Sequence, residues 1–382
     1  MLVRSIKYPN SNSFFLLGPR GTGKSTWTKA EFKSSLTFDF LKEATFSELL
    51  AHPGRLEALI DASPSTWVVL DEVQKIPSIL DEVHRLIEKK KQKFILTGSS
   101  TRKLKRGGAN LLAGRARMLQ MHPLTAEELG SKFNLKKSIE IGHLPSVYFI
   151  DDPKEYLKSY IGTYLKEEVQ QEALVRNLDS FARFLQAASL SQGSVLSIKQ
   201  VASDCGVART TVESYFELLD DLLLSIRLPV FQRRAKRKMS SHPKFYFFDC
   251  GVYRSIRPKG PLDPIEELEG PAIETLLLQE LRACNSNHSL DFEFFFWRTT
   301  DKVEVDFVLY GERGLLAFEV KRSSQFREAD LKSLKLFSED YPMCRAFLVY
   351  LGEQHYKFGN IEVVPMAELL RNLTRYLSKQ SD

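Results

Sequence analysis

Phe14-Phe15-Leu16-Leu17-Gly18-Pro19-Arg20-Gly21-Thr22-Gly23-Lys24-Ser25-Thr26 is the stretch from which the rest of the chain is read. Four successive apolar residues suit a strand buried on both faces. Gly18 to Ser25 fits GxxxxGK[ST], between that strand and a helix-like stretch, the context in which the motif holds phosphates. Glycines let backbone N–H groups wrap the phosphates, and the helix N-terminus adds a favourable dipole. Lys24 is expected to reach the β- and γ-phosphates, and Ser25 to offer its hydroxyl to Mg²⁺. Gly18, Pro19, Arg20, Gly21, Thr22, Gly23, Lys24, Ser25 and Thr26 are therefore the expected ATP contacts. A chance glycine-rich turn is the competing reading.

Leu36–Phe40, Trp67–Leu70, Phe94–Leu96 and Ala116–Met121 are further strand candidates, separated by helix-like segments. They imply an α/β fold with a mostly parallel sheet covered on both faces. The strand from Trp67 ends in Asp71-Glu72, which puts two acids at the carboxyl edge of such a sheet, where ligands bind. Asp71 is expected to hold Mg²⁺ through water, and Glu72 to polarise the attacking water. The alternative is an acidic N-cap for the next helix. Phe94-Ile-Leu-Thr97-Gly98-Ser99-Ser100 ends a neighbouring strand, and Ser99 is the candidate γ-phosphate sensor. A plain turn is its rival.

Composition limits the other possibilities. A length of 382 residues suggests two or three domains. With 43% hydrophobic and 27% charged residues, disordered and collagen-like chains are excluded. No apolar run approaches the ~18 residues needed to span a bilayer, so no membrane partner is expected. Arg4 and Lys7 are followed by no apolar core of a signal peptide. Cys205, Cys250, Cys284 and Cys344 lack the spacing of a zinc ribbon or CxxC site and suit a reducing cytoplasm.

The net charge of +6 is unevenly placed. Arg85 to Arg117 holds eleven Lys/Arg against Glu88 alone; Arg227 to Lys259 holds ten against Asp249 alone. Two basic blocks on an acidic background point to a polyanion partner. Solvated surface is the alternative.

The motif series resembles prokaryotic AAA+ ATPases of the MNS clade, many of which carry a winged helix and then a restriction-endonuclease-like domain. The resemblance includes Leu144-Pro-Ser-Val-Tyr148, Tyr164-Leu-Lys-Glu-Glu168 and Ala173-Leu-Val-Arg-Asn177. It implies domains over 1–150, 151–238 and 239–382. It also implies a homo-oligomer in which an arginine reaches the neighbouring subunit's γ-phosphate. By position after the sensing strand, in Leu111-Leu-Ala-Gly114-Arg115-Ala-Arg117, that residue is Arg115, with Arg117 next.

Ile198–Val212 has helix-turn-helix spacing, with Gly206 in the turn and a second helix from about Ala208 to Leu224. Arg209-Thr210-Thr211 opens that second helix and would face a major groove. Gln232-Arg-Arg-Ala-Lys-Arg-Lys238 falls where a wing belongs and would meet the DNA backbone. A protein-contact lid is the alternative.

Farther on, a helix from about Pro271 carries Glu274 and Glu280. Val303–Tyr310 and Leu315–Lys321 flank Gly311-Glu-Arg-Gly314, a hairpin turn. If Tyr310 faces Leu315, then Asp306 faces Glu319 and Glu304 faces Lys321, all on one face of the sheet. Facing carboxylates repel unless a cation or proton lies between them. Asp306 and Glu319 are thus a candidate site for Mg²⁺ or Mn²⁺, while Glu304–Lys321 would be a plain ion pair. Asp followed by Glu-x-Lys on a hairpin resembles the PD-(D/E)XK nuclease core. That resemblance adds Glu274 as the upstream acid, with Glu280 as alternative, and makes Lys321 the residue orienting a metal-made hydroxide. No proline precedes Asp306, a departure from the pattern, and inactive relatives keep the same fold.

The expectation is an ATP-hydrolysing AAA+ protein acting on duplex, single-stranded or branched DNA, with metal-dependent cleavage left open. A switch whose later domains dock proteins is the alternative, and a small-molecule kinase is a distant third.

Overall fold

The structure, a computed structural model, describes residues 2–100, 112, 114–165, 177–239, 241–261 and 263–378, with backbone alone at 164–165. Arg102, Lys103, Lys105 and Arg106 of the first basic block lie outside the described residues, as do most of Tyr164–Glu168 and Ala173–Asn177. The chain forms two compact units, Arg4–His122 with Asp221–Leu224, and the remainder, which joins the residues before Arg4 to Pro123–Asp220 and the stretch from Ser225 onward.

The first unit is built on strands β1 (Ser13–Leu17), β2 (Leu36–Asp39), β3 (Trp67–Asp71), β4 (Lys93–Gly98) and β5 (Ala116–Gln120). All run parallel in the order β2-β3-β4-β1-β5, so the parallel-sheet expectation holds. The apolar run of β1 follows from the strand's period of two. Phe15 and Leu17 enter one core cluster, Phe14 and Leu16 the cluster on the opposite face. On the second face Phe14 meets Trp67 at 5.7 Å between ring centroids, and Tyr8 meets Phe32 at 4.9 Å. Trp27 of helix α1 (Lys24–Glu31) packs into the same group, which fixes the helix on the sheet directly after the glycine-rich turn. Helix α2 (Ile79–Lys90) covers the other face through Ile79, Leu80, Val83 and Leu86.

The second unit contains two sheets. Helices α3 (Leu178–Leu190), α4 (Ile198–Cys205) and α5 (Arg209–Asp221) accompany β6 (Ser194–Val195), β7 (Ser225–Leu228) and β8 (Lys244–Phe247). The three strands are antiparallel in the order β6-β8-β7. Gly206 caps α4 at φ 64°, the left-handed conformation that the turn between α4 and α5 requires. The second helix was expected to reach Leu224 but ends at Asp221, and Leu223 takes φ 59°.

Helix α6 (Cys250–Ile256) leads to α7 (Ile265–Asn287), which starts earlier than the expected Pro271. Pro264 caps it in extended conformation and two acids occupy its first turn, so Pro271 lies inside the helix. Then come β9 (Glu293–Arg298), β10 (Glu304–Gly311), β11 (Gly314–Lys321), helix α8 (Lys332–Asp340), β12 (Arg345–Tyr350), β13 (Tyr356–Phe358) and β14 (Ile361–Pro365). The sheet order is β13-β14-β12-β11-β10-β9. Tyr310 pairs with Leu315 and Phe307 with Phe318, so the hairpin has the register read from its turn.

Candidate nucleotide site and carboxylate cluster

At the carboxyl ends of β1, β3 and β4 the glycine-rich loop meets the acids of β3. Gly21 and Gly23 take φ 83° and 92°, and a Cβ on Gly18 would lie 2.3 Å from the Met121 carbonyl oxygen. Side chains at these places would strain or fill the loop. Lys24 is buried, and its Nζ donates to the carbonyl oxygens of Gly18 at 2.7 Å and Pro19 at 3.1 Å. Arg4 supports the loop from outside, donating to the Thr22 carbonyl at 3.0 Å and the His122 carbonyl at 2.6 Å.

Ser25 Oγ donates to Asp71 Oδ1 at 3.1 Å, so the two expected Mg²⁺ oxygens are side by side. Hard oxygen donors beside a phosphate-binding loop suit that ion. Thr97 also donates to Asp71 Oδ1, and its hydroxyl accepts the Glu72 N–H at 3.3 Å. Glu72 takes φ 61°, ψ 46°, a left-handed conformation that costs a non-glycine residue of order 1–3 kcal/mol. That turn brings Gln74 back under the acid. Its amide Nε2 donates to Glu72 Oε2 and to Ser99 Oγ, the latter at 3.1 Å. Glu72 and Ser99 are therefore joined through a buried amide that sequence reading missed. The available signal was a glutamine between Val73 and Ile76, both fully buried.

The Gln74 amide holds the Glu72 carboxylate in place through its hydrogen bond. Gln74→Ala is expected to leave ATP affinity near wild type and to lower single-turnover hydrolysis roughly ten- to a hundredfold, the scale of a misplaced catalytic group. Unchanged hydrolysis would reduce Gln74 to core filling. Arg115 is half-buried beside β5, and its guanidinium pairs with Glu88, which holds that carboxyl below the usual range. Arg117 is exposed on β5.

The hairpin acids of the second unit meet a lysine that was not among the expected site residues. Lys244 of β8 is buried, and its Nζ lies 2.5 Å from Glu304 Oε1, 3.2 Å from Asp306 Oδ1 and 3.9 Å from Glu274 Oε2. Burial works against the ammonium, but Tyr246, Asp306, Glu274 and Glu304 outweigh it and hold its pKa well above that of an ordinary lysine. Tyr246, two residues along β8, donates to Glu274 Oε2 at 2.8 Å. Asp306 Oδ2 accepts the Val320 N–H at 2.9 Å.

The expected Glu304–Lys321 pair is replaced. Glu304 takes Lys244 and Arg298, while Lys321 Nζ donates to Glu319 Oε1 at 2.7 Å on its own strand. Glu319 Oε2 is buried without a partner. Burial, and then Asp306, push the carboxyls of Glu274 and Glu319 up to about 8. Glu280 stands apart, accepting the Ala126 N–H at 2.8 Å beside His143. Among the described residues, no group of three His, Cys, Asp or Glu side chains is arranged to hold a metal. Asp306, Glu319 and Glu274 thus come together, yet with an ammonium among them they do not fit a divalent ion.

Much of the second basic block is already paired. Arg227 bonds Asp220, Arg233 bonds Glu293, and Arg237 bonds Asp340 at 2.8 Å. Arg234, Lys236 and Lys238 are exposed. The expected wing is tied at one end to β9 and at the other to the turn that follows β9. Phe231 N–H donates to the Phe296 carbonyl at 2.7 Å, and Thr300 N–H to the Lys238 carbonyl at 3.1 Å. The four cysteines are free and buried, and no helix among the described residues is long and apolar enough to cross a membrane.

Three families of known proteins match successive parts of the chain. Residues 132–263 match a family described as a domain of unknown function (DUF8612), and residues 269–369 another so described (DUF4143). An uncharacterized protein of Mycobacterium tuberculosis is 26% identical over 366 residues, covering 93% of this chain and 80% of its own. An uncharacterized protein of Haemophilus influenzae is 23% identical over 246 residues, 59% of this chain and 60% of its own. The crystal structure of protein VC1899 from Vibrio cholerae covers 91% of this chain and 97% of its own, at 14% identity and a TM-score of 0.22. Residues 10–130 match the family described as AAA domain, a match that implies ATP binding and suggests ATPase activity.

Proposed function

We propose that the protein is an ATP-hydrolysing AAA+ machine that acts on DNA as a homo-oligomer in a reducing cytoplasm, of the MNS type read from its motifs. The chain from Glu72 through Gln74 to Ser99, beside the Ser25–Asp71 contact, carries the hydrolytic part. Lys24 and the loop from Gly18 to Thr26 hold the triphosphate, and Ser25 and Asp71 hold Mg²⁺. Glu72 takes a proton from the attacking water.

The order α3-β6-α4-α5-β7-β8 supports a winged helix, with exposed Arg209 and Thr210 at the start of α5 and exposed Arg234, Lys236 and Lys238 in the wing. In this reading the start of α5 faces a major groove, the wing residues contact the DNA backbone, and hydrolysis resets subunit contacts. Metal-dependent cleavage, with Mg²⁺ or Mn²⁺ on Asp306, Glu319 and Glu274 beside Lys321, is the part that the Lys244 ammonium opposes. The ATPase reading does not depend on it.

One observation favours a switch that docks proteins instead: the wing is anchored at both ends, to β9 through Phe231 and to Thr300, just after β9, through Lys238. ATP hydrolysis measured alone and with single-stranded, duplex and branched DNA separates the two. Stimulation by one form, lost steeply between about 50 and 200 mM salt, is the expected result. No stimulation and no salt-dependent binding would overturn the DNA part and leave the switch.

A further inference from the structure

Lys244 does not resemble a surface lysine that has found acids by chance. It lies on β8 between pairings to β6 and β7, so its backbone is fixed on both sides. The segment leading to it is anchored on β9 through Phe231 and on Thr300, just past β9, through Lys238. Its Nζ also lies 5.6 Å from the centre of the Phe296 ring, a face that favours a cation. The fold of the three-stranded sheet therefore delivers one ammonium into the acids of the six-stranded sheet.

We infer that Lys244 is the resident cation of this carboxylate cluster, and that it and a divalent cation at Asp306 are mutually exclusive. The inference rests on reading the hairpin acids as a nuclease-like cation site, and it states why that site is closed. A divalent ion on Asp306 Oδ1 would sit about 2.0–2.6 Å from that oxygen. The ammonium is 3.2 Å from the same oxygen, so the two cations would lie within about 6 Å of one another in a water-poor interior.

The remaining acceptors say the same. Asp306 Oδ2 serves the Val320 N–H and Glu274 Oε2 serves Tyr246. Glu319 Oε2 alone is bare, although buried, and a buried acceptor of that kind calls for a proton or cation. The cluster thus keeps one unfilled oxygen toward a cation and one lysine that occupies the place beside it. Withdrawing the lysine turns a neutralised cluster into a divalent-cation site.

The test compares wild type with Lys244→Met in the full chain, stripped with chelator and titrated with Mn²⁺ alone. Bound Mn²⁺ is counted by electron paramagnetic resonance, and stability is followed by thermal melting. The Ser25–Asp71 site contributes equally to both proteins. Lys244→Met is expected to melt lower in chelator, to bind one Mn²⁺ more than wild type at least about tenfold more tightly, and to regain stability with it. Adding Asp306→Asn should abolish the extra ion. Should Lys244→Met fail to fold, Lys244→Met/Glu304→Gln removes one unmatched charge and carries the same expectation. A wild type that already binds the second Mn²⁺ as tightly overturns the exclusion and leaves the metal-site reading standing. No additional Mn²⁺ in either variant overturns both.

Discussion

Glu72→Gln will bind ATP about as well as wild type and turn it over roughly 10²–10⁴-fold more slowly, the usual span for losing a general base. The amide keeps the shape of the carboxylate and an oxygen for the Gln74 Nε2, so the left-handed turn at Glu72 and the strand before it are undisturbed. What is lost is the carboxylate proposed to take the proton of water. Lys24→Ala fails differently. It removes the buried ammonium that sits within the phosphate loop, so nucleotide affinity itself falls. A fluorescent nucleotide titration beside a phosphate-release assay separates the two. Equal turnover in wild type and Glu72→Gln would move the base to another residue, with the Asp71 cluster intact.

The parts of this molecule legible in the sequence are those that local chemistry decides. Phe14 to Leu17 reads as a doubly covered strand because both of its faces are apolar, and the structure buries both. The hairpin register was legible because Gly311 and Gly314 fix the turn and the period of two does the rest. The missed features all come from contacts remote in sequence. Lys244 reads as one cation at the head of an aromatic strand, and nothing beside it announces acids 62 residues away at Asp306. The basic run around Arg233 and Arg237 reads as a free patch because its partners, Glu293 and Asp340, lie 60 and 103 residues onward. Gln74 is the intermediate case: it is close to Glu72 in sequence, but its link to Ser99 needs β3 and β4 side by side.

The pairing of Arg115 with Glu88 bears on the proposed homo-oligomer, and it leads to the other large effect. An arginine acting on a neighbour's γ-phosphate must leave its own chain's acid to do so. The Arg115–Glu88 bridge is on the surface, where an ion pair is screened and weakly held, so it can be given up. Arg115→Ala is therefore expected to keep nucleotide affinity and lose about 10³-fold or more in turnover, the scale for an arginine that stabilises charge on a transferring phosphoryl group. Glu88→Gln, which only frees the guanidinium, should leave turnover within a few fold of wild type. Mixing Arg115→Ala with Lys24→Ala subunits should restore part of the activity, because each supplies the group the other lacks at a shared interface. A purely structural Arg115 would give no such recovery, and its loss would be matched by Glu88→Gln. Normal hydrolysis by Arg115→Ala would pass the role to Arg117, exposed on β5 two residues on.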